Sequence, residues 1–524
     1  MSQVDISPVQ RLALHARFKT NAVAVIYEGH EYTYGELHEL IERFAAGLVA
    51  HGVQAGDRVA YLGHNSLTFL TTFFGASWMG AIFVPLNFRL SAVEVGALLS
   101  DCEPKVIVVE PGHMAVYDTI AHDLSIHSLL VDTDASLEVP ARKQPYWDSL
   151  ARFTDARLPS VEPVSRVEDD VAVLMYTSGT TGKPKGAILT HGNLWWNAVN
   201  VDSVVDTRDS DINLAIAPLF HIGGLNAFTV RCLTRGATTI IRRAFDPAQA
   251  LDDLVKFHVT TVFAVPAMFA SIARVPGFAD ADLSELRAAV AAGAPVPPAL
   301  ISEYATHGVM VQQAWGLTET APFATYLPAS RTIEKTGSAG IAMPYTEVTL
   351  VDVETGAEIT EPNRAGELWV RGPNVVREYW RNETANADAF VRGWFRTGDI
   401  GYLDDDGFVF IVDRLKDMVI TGGENVYPAE VERVLASHPF ILDVAVVGLA
   451  DSKWGEAVTA VVCVADSYEM TLDEVREFAA EFLARYKLPS RLHVVESMPR
   501  NGAGKLDKIA IRAQFTATVA GVAS

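Results

Sequence analysis

Short apolar runs alternate with segments of helical periodicity through most of this 524-residue chain. Runs rich in Val, Ile and Phe that are bounded by Gly, Pro or Asp are typical of strands buried on both faces. Between these runs, apolar residues recur three and four positions apart, as in the helix predicted over 67–79. Such alternation predicts parallel sheets with helices on their faces. The predicted strands of this part span 58–63, 81–86, 105–110, 171–176 and 259–265.

The pattern changes from about residue 346, where Gly and Asp turns separate short strands and few helices intervene. After Asp413 a compact α+β pattern begins. The predicted fold class is therefore α/β: a large N-terminal domain of parallel-rich sheets flanked by helices plus a β-rich subdomain, hinged to a small α+β C-terminal domain. The predicted boundaries are 1–413 for the large domain, 414–417 for the hinge and 418–524 for the small mobile domain. The predicted elements beyond 346 are strands over 347–353, 366–371, 407–412, 441–449 and 458–465 and a helix over 428–435.

Two helix starts carry the Ser/Thr-x-x-Glu pattern of a capping box. Thr33 with Glu36 precedes residues that are apolar at helical spacing, and Thr471 with Glu474 opens a helix predicted to reach about residue 486. In each case the hydroxyl and the carboxylate pair backbone N–H groups that the first turn leaves free, which fixes where the helix begins.

The net charge of the chain limits the kinds of partner that it can bind. Asp and Glu number 64 and Lys and Arg 42, giving a formal net charge of −22. A surface this acidic repels nucleic acid and anionic lipid, so a polyphosphate ligand needs a locally positive site. Residues 1–19 do not resemble a secretory signal and no apolar stretch is long enough to span a bilayer, so we expect a cytoplasmic protein without a transmembrane segment. Cys102, Cys232 and Cys463 fit no metal-ligand spacing and are expected to be buried, reduced thiols.

The strongest local signal is a loop rich in glycine and hydroxyl groups over 176–186, Tyr-Thr-Ser-Gly-Thr-Thr-Gly-Lys-Pro-Lys-Gly. Glycines let the backbone approach a ligand closely, and N–H groups, hydroxyls and cations together suit a polyphosphate. The loop is not a Walker motif, because Thr177 stands at the first glycine position and Pro184 follows the lysine. The candidate nucleotide-binding residues of the loop are Thr177, Ser178, Gly179, Thr180, Thr181 and Lys185.

This loop resembles the signature loop of the adenylate-forming (ANL) superfamily, which includes acyl-CoA synthetases, 4-coumarate-CoA ligases, firefly luciferase and the adenylation domains of peptide synthetases. Other stretches resemble further motifs of the superfamily in the same order, so the resemblance covers nearly the whole chain. It implies an ATP-dependent acyl-CoA synthetase that converts a medium- or long-chain fatty acid or an aromatic acid into an acyl-adenylate and transfers the acyl group to coenzyme A. ATP, Mg²⁺ and coenzyme A are the implied cofactors and co-substrates.

Two segments resemble the parts of the superfamily that surround the acid. The segment 218–223, Pro-Leu-Phe-His-Ile-Gly, resembles the motif beside the carboxylate substrate. The segment 292–295, Ala-Gly-Ala-Pro, resembles the strand end that faces adenine and the acyl group, where small side chains leave room for a ligand. The implied substrate contacts are Phe220, His221, Gly223 and Asn226, and the implied nucleotide contacts are Gly293, Ala294 and Pro295. These residues include no obvious cation, which disfavours a dicarboxylic acid.

The segment 315–320, Trp-Gly-Leu-Thr-Glu-Thr, resembles the aromatic-Gly-x-Thr-Glu motif of the superfamily. The resemblance implies that Trp315 stacks on adenine. It also implies that Glu319, assisted by Thr177, is a hard oxygen ligand for Mg²⁺ that bridges ATP phosphates, and that Glu319 and Thr177 are catalytic. The superfamily usually has Tyr at the first position, so Trp315 keeps the stacking face and loses the hydroxyl. The implied nucleotide contacts of this strand and turn are Gln313, Ala314, Trp315, Gly316 and Thr318.

Two polar segments follow, Thr397-Gly-Asp399 and Asp413-Arg-Leu-Lys-Asp417. A carboxylate such as Asp399 can accept both ribose hydroxyls, and Arg414 can reach the same sugar or the phosphate. By the resemblance, Lys416 is the hinge residue about which the small domain turns.

The last two motifs are glycine-rich. Gly422 and Gly423 belong to a segment that resembles the loop entering the active site for thioester formation, where glycines allow close approach to the pantetheine arm. The segment 499–505 resembles the final motif of the superfamily, which makes Lys505 the implied catalytic lysine that grips the carboxylate and the α-phosphate during adenylation.

Three alternative functions stay open from the sequence. An acyl-AMP ligase that delivers to a carrier protein often has an extra insertion after the large domain, and none is visible. An amino-acid adenylating enzyme needs an Asp near the substrate motif to pair the ammonium group, and 220–226 contains none. The alternative of another class is a non-catalytic nucleotide-binding regulatory protein. A homodimer is the assembly expected from general frequency.

Overall fold

The computed structural model of this chain describes residues 4–121, 126–130, 147–177, 184–421, 424–451, 454–465, 468–500 and 506–520. These residues fall into two compact units. The first unit consists of the described parts of 1–348 and 370–396, and the second of the described parts of 349–369 and 397–524. The hinge at 414–417 and the domain limits on either side of it stay a prediction.

Regular elements cover most of the described chain. The strands of residues 23–342 are β1 (Val23–Tyr27), β2 (His30–Thr33), β3 (Arg58–Leu62), β4 (Ile82–Leu86), β5 (Val106–Val109), β6 (His127–Leu130), β7 (Trp147–Ser149), β8 (Val171–Thr177), β9 (Lys185–Thr190), β10 (Ile212–Ala215), β11 (Thr238–Ile241), β12 (Thr261–Ala264), β13 (Ala288–Ala291), β14 (Val311–Trp315), β15 (Thr325–Tyr326) and β16 (Ile341–Ala342). The later strands are β17 (Glu347–Val351), β18 (Glu358–Ile359), β19 (Gly366–Arg371), β20 (Phe390–Val391), β21 (Trp394–Leu403), β22 (Val409–Arg414), β23 (Val419–Thr421), β24 (Glu424–Val426), β25 (Ile441–Asp451), β26 (Gly455–Val464) and β27 (Arg491–Val494).

Helices alternate with these strands. The α-helices are α1 (Pro8–Phe18), α2 (Tyr34–Ala50), α3 (Leu67–Met79), α4 (Ala92–Cys102), α5 (Met114–Asp118), α6 (Leu150–Phe153), α7 (His191–Val205), α8 (Ile222–Gly224), α9 (Val230–Arg235), α10 (Pro247–Lys256), α11 (Pro266–Ala273), α12 (Pro298–Ala305), α13 (Glu383–Ala389), α14 (Pro428–Leu435), α15 (Leu472–Ala480) and α16 (Lys508–Ala520). A π-helical turn, Leu225–Thr229, lies between α8 and α9.

The first unit contains two large sheets. A nine-stranded sheet has the order β16-β15-β14-β13-β12-β10-β11-β1-β2, and a seven-stranded sheet has the order β7-β6-β5-β3-β4-β8-β9. The pairs are parallel except β1–β2, β14–β15, β15–β16 and β8–β9. The parallel-rich architecture that the alternating pattern predicts is thereby confirmed. In parallel sheets the loops at the carboxyl ends of neighbouring strands share one edge, where ligands bind.

Helices α2 and α3 show how the sequence specifies the packing between elements. The predicted capping box at Thr33 is present: its hydroxyl accepts from the Glu36 N–H, and the Glu36 carboxylate accepts from the Thr33 N–H at 2.8 Å. The apolar face of α2 buries Ile41 and Phe44 completely. On α3, a Cβ at Gly75 would lie 2.6 Å from the Phe44 ring, so only glycine permits this close approach. Burial of each such large side chain contributes about 1.5–3 kcal/mol.

The second unit is built mainly from antiparallel pairs, as predicted. Strands β17 and β18 pair, β21 and β22 pair, and β23 and β24 pair. Strand β26 pairs antiparallel with β25 and parallel with β27. Helices α14 and α15 supply Val431, Leu435, Val475 and Ala479 to the apolar core of this sheet.

Helix α15 is shorter than its sequence predicts. It begins after Thr471 as expected and ends at Ala480 instead of residue 486. Arg476 donates to the Pro489 carbonyl at 2.6 Å, which holds the returning chain against the helix. The predicted capping box is also incomplete, because the Glu474 carboxylate accepts from the Tyr468 hydroxyl instead.

The cysteines agree with the sequence-based expectation. Cys102, Cys232 and Cys463 are buried free thiols. Burial raises the pKa of the Cys102 and Cys232 thiols to about 12, so neither is a thiolate near neutral pH. None of the helices in the described ranges combines the length and the apolar character that a bilayer crossing requires.

A buried histidine opens helix α7. His191 is 1% exposed, and neither ring nitrogen has a hydrogen-bond partner within the described ranges. Burial, together with the nearby Arg166 cation, lowers the pKa of His191 to about 4. The folded chain therefore holds this imidazole neutral.

The His191 pKa predicts a loss of stability in weak acid. Between the unfolded pKa of about 6.5 and the folded pKa of about 4, only the unfolded chain binds the proton, so the free energy of unfolding is fully present above this window and falls as the pH falls through it. Between about pH 7.5 and about pH 5 we expect the free energy of unfolding of the wild type to fall by about 2 kcal/mol more than that of His191→Gln. Urea titrations at the two pH values measure this difference. Equal pH dependence in the two proteins would contradict the assignment.

Candidate active site

The turn that follows β14 is fixed from several directions. A Cβ at Gly316 would lie 1.9 Å from the Pro322 carbonyl oxygen, so the turn admits only glycine there. The Thr320 hydroxyl accepts from the Leu317 N–H at 2.8 Å and donates to the Pro322 carbonyl. Asn374 donates to the carbonyl oxygens of Thr320 and Phe323, both at 2.9 Å. This turn carries the predicted Thr318 and Glu319, and these hydrogen bonds fix its backbone conformation.

Glu319 is 6% exposed and is held by a residue that the sequence did not identify. The Tyr379 hydroxyl donates to Glu319 Oε1 at 2.7 Å, and the Glu319 carbonyl accepts from the Val376 N–H at 2.8 Å. Burial and the Glu319 charge raise the pKa of Tyr379, so the phenol stays protonated and remains a donor. Lys185 Nζ lies 5.2 Å from the centroid of the Tyr379 ring. A cation, a phenol and a carboxylate thus form one contiguous group.

The β8–β9 hairpin supplies both ends of the glycine-rich loop. Thr177 and Lys185 are paired in register, and the half-buried Thr177 hydroxyl lies 3.4 Å from the Lys185 carbonyl oxygen. The next residue of β9, Gly186, accepts from the Trp380 N–H at 2.7 Å, which joins the hairpin to the segment that carries Tyr379. The predicted residues Ser178, Gly179, Thr180 and Thr181 lie outside the described residues.

The predicted contacts on β13 and β14 lie at neighbouring strand ends. Residues 293–295 are exposed after β13, and Gly293 has a φ of 86°, a conformation that favours glycine. The buried Gln313 side chain accepts from the Val296 N–H at 2.9 Å and so ties this strand end to β14. Ala314 lies on the opposite face of β14 from Gln313, in the apolar cluster that contains Phe323. Trp315 ends the strand and is 8% exposed.

The loop after β10 carries the predicted substrate residues Phe220 and His221. Asn65 holds this loop, because its side chain donates to the Ala217 carbonyl at 3.0 Å and accepts from the Leu219 N–H at 2.8 Å. Phe220 is buried, with its ring centroid 5.3 Å from that of Phe88. His221 is half-buried immediately before α8. Asn65, like Tyr379, was not identified from the sequence.

The other two predicted substrate residues have different surroundings. A Cβ at Gly223 would lie 2.6 Å from the Phe263 ring, so this aromatic residue of β12 forms a wall beside the substrate motif. Phe263 is half-buried, with its ring centroid 6.0 Å from that of Phe323. Asn226 is buried and donates to the Ala321 carbonyl at 2.7 Å. In this structure Asn226 positions the turn that carries Glu319.

The second unit contains the predicted ribose residues and the predicted hinge. Asp399 and Arg414 face each other across β21 and β22, with Arg414 Nε 2.5 Å from Asp399 Oδ1. Lys416 is exposed in a turn over Leu415–Asp417. The ends of this turn are anchored, because Asp413 accepts from the Ala429 N–H at 2.6 Å and Asp417 pairs with Arg512 at 3.1 Å. Gly422, Gly423 and Lys505 lie outside the described residues.

The two parallel-rich sheets, the hairpin and the buried carboxylate turn define an adenylate-forming class of fold. A model of the AMP-binding enzyme family matches residues 12–380, and a model of the AMP-binding enzyme C-terminal domain matches residues 430–505. The chain belongs to the AMP-binding enzyme family.

Similar proteins of known name cover nearly the whole chain. A feruloyl-CoA synthase of Amycolatopsis sp is 41% identical over 508 residues, which are 97% of this chain and 98% of that protein. A long-chain-fatty-acid–CoA ligase of Mycobacterium tuberculosis is 39% identical over 487 residues, 93% of this chain and 94% of the relative. Among solved structures, o-succinylbenzoate CoA synthetase from Bacillus subtilis in complex with its acyl-adenylate intermediate is 32% identical with a TM-score of 0.84, covering 96% of this chain and 97% of that one.

The Tyr379–Glu319 hydrogen bond predicts a measurable role in binding of magnesium and ATP. Tyr379→Phe keeps the ring and removes the donor, and a hydrogen bond to a charged group is worth about 1.5–3 kcal/mol. We expect the variant to lower kcat/KM for ATP about tenfold or more and to raise the Mg²⁺ concentration needed for half-maximal AMP formation. Tyr345→Phe, at a ring that is 49% exposed, is the matched control. If Tyr379→Phe had the same kcat/KM for ATP and the same Mg²⁺ requirement as the wild type, the Tyr379 hydroxyl would have no role in the site.

Proposed function

We propose that this chain is an AMP-forming acyl-CoA synthetase that activates an apolar carboxylic acid with ATP and transfers the acyl group to coenzyme A. The observation that carries the proposal is the group formed by Lys185, Tyr379 and Glu319 beside the ends of the glycine-rich loop. It places a cation and a held carboxylate at a loop suited to polyphosphate, in a chain whose family binds AMP.

The first half-reaction follows from the poor electrophilicity of a carboxylate. A carboxylate oxygen of the acid attacks the α-phosphorus of ATP, the bond from that phosphorus to the bridging oxygen breaks, and pyrophosphate leaves. The product is an acyl-adenylate, in which AMP is a good leaving group. Positioning and charge neutralisation dominate this type of transfer, because protein side chains form no covalent bond to the reacting phosphorus. Lys185 is proposed to neutralise phosphate charge.

The donor set at Glu319 fits a magnesium ion. Mg²⁺ is usually bound by one or two carboxylates together with substrate phosphates and water, and dedicated cages of many protein ligands are uncommon. Consistent with that mode, no cluster of three or more His, Cys, Asp or Glu ligands occurs in the part of the chain that the structure describes. Glu319, with Thr177, is proposed to hold the ion. When bound, it would neutralise charge on the ATP phosphates.

The remaining nucleotide contacts are proposed from the position of each residue in its motif. Adenine is proposed to stack on Trp315 at the end of β14. Residues 293–295, at the end of the neighbouring strand β13, are proposed to contact the adenine as well. Asp399 is proposed to accept the ribose hydroxyls, since its carboxylate is oriented by Arg414, whose Nε lies 2.5 Å from Asp399 Oδ1. Gln313 acts indirectly, through its hydrogen bond to the Val296 N–H.

The second half-reaction breaks the mixed anhydride. The sulfur of coenzyme A attacks the acyl carbonyl carbon, AMP leaves with the bonding pair, and the thiol proton passes to solvent. Lys505 is proposed to act only in adenylation, and Gly422 and Gly423 only in the thiol step. Lys416 is the proposed pivot between the two steps, since it stands in a short turn whose ends are anchored at Asp413 and Asp417.

The acid best suited to the first unit is aromatic. The Phe263 ring packs against Gly223 of the proposed substrate motif, and its centroid lies 6.0 Å from that of Phe323. Rings at such distances favour a planar aromatic group. The named relatives include a feruloyl-CoA synthase, which supports an arylacrylic acid as the substrate.

A fatty acid is the second candidate, and a separate observation favours it. The residues behind Ala314, which include Val201, Phe228, Val290 and Met343, are mostly apolar and enclose room for about one water molecule. Apolar residues at this position are compatible with a hydrocarbon chain, and a long-chain-fatty-acid–CoA ligase is among the relatives. An ammonium-bearing acid is disfavoured, because 220–226 offers no carboxylate to pair with it.

A panel of acids with ATP, Mg²⁺ and coenzyme A tests the function and the substrate class together. We expect acid-dependent AMP release and an acyl-CoA product, with kcat/KM highest for cinnamic acids, lower for octanoate and hexadecanoate, and lowest for malonate. Gly223→Ala should lower kcat/KM for the cinnamic acids by about tenfold or more, because the added methyl group meets the Phe263 ring.

Gly112→Ala is the matched control, since a Cβ there would meet nothing within 4 Å. AMP release without acyl-CoA, together with acylation of a carrier protein, would favour the acyl-AMP ligase instead. An absence of AMP with every acid would leave only the non-catalytic alternative.

A further inference from the structure

The last turn of helix α4 is held against two other segments of the first unit. The helix ends at Cys102, so the carbonyl groups of this turn have no partners within the helix. Arg58 Nε donates to the Cys102 carbonyl at 2.5 Å. The Trp380 indole N–H donates to the Asp101 carbonyl at 3.3 Å. Because Trp380 directly follows Tyr379, the end of α4 contacts the segment that holds the buried carboxylate of the candidate active site.

Two cations lie close to the Trp380 ring. The guanidinium carbons of Arg58 and Arg381 are 5.6 Å and 5.1 Å from its centroid. Arg381 also pairs at 2.8 Å with Glu103, the residue that follows α4. Cations are favourable both beside an aromatic face and near the carboxyl end of a helix. Trp380 is therefore held by its ring as well as by its indole N–H.

The carboxylate of Asp101 holds the strand that leads into the glycine-rich loop. The Tyr176 hydroxyl donates to Asp101 Oδ2, and Tyr176 directly precedes Thr177 in β8. Burial raises the pKa of the Tyr176 phenol, so the phenol stays protonated and remains a donor. Asp101 thus binds Tyr176 through its side chain and Trp380 through its backbone carbonyl.

A glycine lies between these two aromatic residues. Gly186 of β9 pairs in register with Tyr176, and its carbonyl accepts from the Trp380 N–H at 2.7 Å. A Cβ at Gly186 would lie 3.3 Å from the Tyr176 ring and 3.3 Å from the Trp380 Cβ. The absence of a side chain lets the two aromatic residues lie on either side of β9 while both are bonded to Asp101.

The Asp101 carboxylate is unfavourable for the helix that contains it. It lies in the last turn of α4, where the negative end of the helix dipole repels an anion. Aspartate also has a lower helix propensity than alanine. The residue is exposed, so its burial contributes little to stability. The contribution that the structure shows for this side chain is its hydrogen bond to Tyr176.

We propose that Asp101 is a positioning residue for ATP binding, a role that rests on the proposed function. Its carboxylate holds Tyr176, and thereby the adjacent Thr177. Its carbonyl holds Trp380, and thereby the adjacent Tyr379. The end of α4 sets the spacing between the start of the glycine-rich loop and the phenol that orients the proposed magnesium ligand.

Calorimetric titration of the full chain with ATP and Mg²⁺, in the absence of an acid, tests this role without requiring turnover. We expect Asp101→Ala to weaken ATP binding about threefold or more, because the hydrogen bond to Tyr176 is lost. The thermal unfolding midpoint should not fall, because the substitution removes an anion from the carboxyl end of a helix. Asp252→Ala, which removes the same charge from an exposed position on α10, is the matched control and should bind ATP as the wild type does.

A double-mutant cycle tests whether the carboxylate acts through Tyr176. Tyr176→Phe should weaken ATP binding to a similar extent. The double variant should bind ATP no more weakly than either single variant, because each substitution removes the same hydrogen bond. In both single variants the KM for ATP should rise, while supplied acyl-adenylate and coenzyme A should be converted to thioester at the wild-type rate.

Three results would each overturn the positioning role of Asp101. They are unchanged ATP binding in Asp101→Ala, additive losses in the cycle, and a lower unfolding midpoint in Asp101→Ala, which would indicate a purely structural role. Acid-dependent AMP formation by the wild type tests the proposed function separately, since ATP binding is measured without acid.

Discussion

The Glu319 carboxylate is the buried charge on which the arrangement of the turn after β14 depends. A carboxylate that is 6% exposed needs hydrogen-bond donors, and more so in a chain with a net charge of −22. Tyr379 supplies one donor, and burial keeps that phenol protonated. The backbone around Glu319 is held by Asn374 and Asn226, and Gly316 permits the tight turn. The carboxylate that we propose as a metal ligand is thereby kept in one orientation.

Much of the fold could be predicted from the sequence, because local patterns specify it. The periodicity of 67–79 and 428–435 matches α3 and α14, and the Thr33–Glu36 pair marks the start of α2. The length of α15 was predicted wrongly, because the helix ends at Ala480. The chain that follows it is held by the hydrogen bond from Arg476 to the carbonyl of Pro489, a contact that the periodicity does not contain.

The candidate site divides in the same way. Thr177 and Lys185 could be proposed because they lie in a loop of unusual composition, and Glu319 because its segment resembles a motif of the superfamily. Tyr379 and Asn65 could not, because each acts through a partner that is far away in sequence, Glu319 and the loop after β10. The face of the sheet to which each side chain points could not be assigned either. Ala314 and Gln313 are adjacent in the sequence, yet they lie on opposite faces of β14.

We propose that one acid passes through an adenylate in two half-reactions that use different residues. Both half-reactions can be measured separately in Lys505→Ala and in Lys416→Pro. We expect Lys505→Ala to slow pyrophosphate release about a hundredfold and yet to convert supplied acyl-adenylate and coenzyme A to thioester at the wild-type rate. Lys416→Pro, which fixes φ at the proposed pivot, should spare pyrophosphate release and slow thioester formation. Equal loss of both half-reactions in Lys505→Ala would contradict the proposed division of roles.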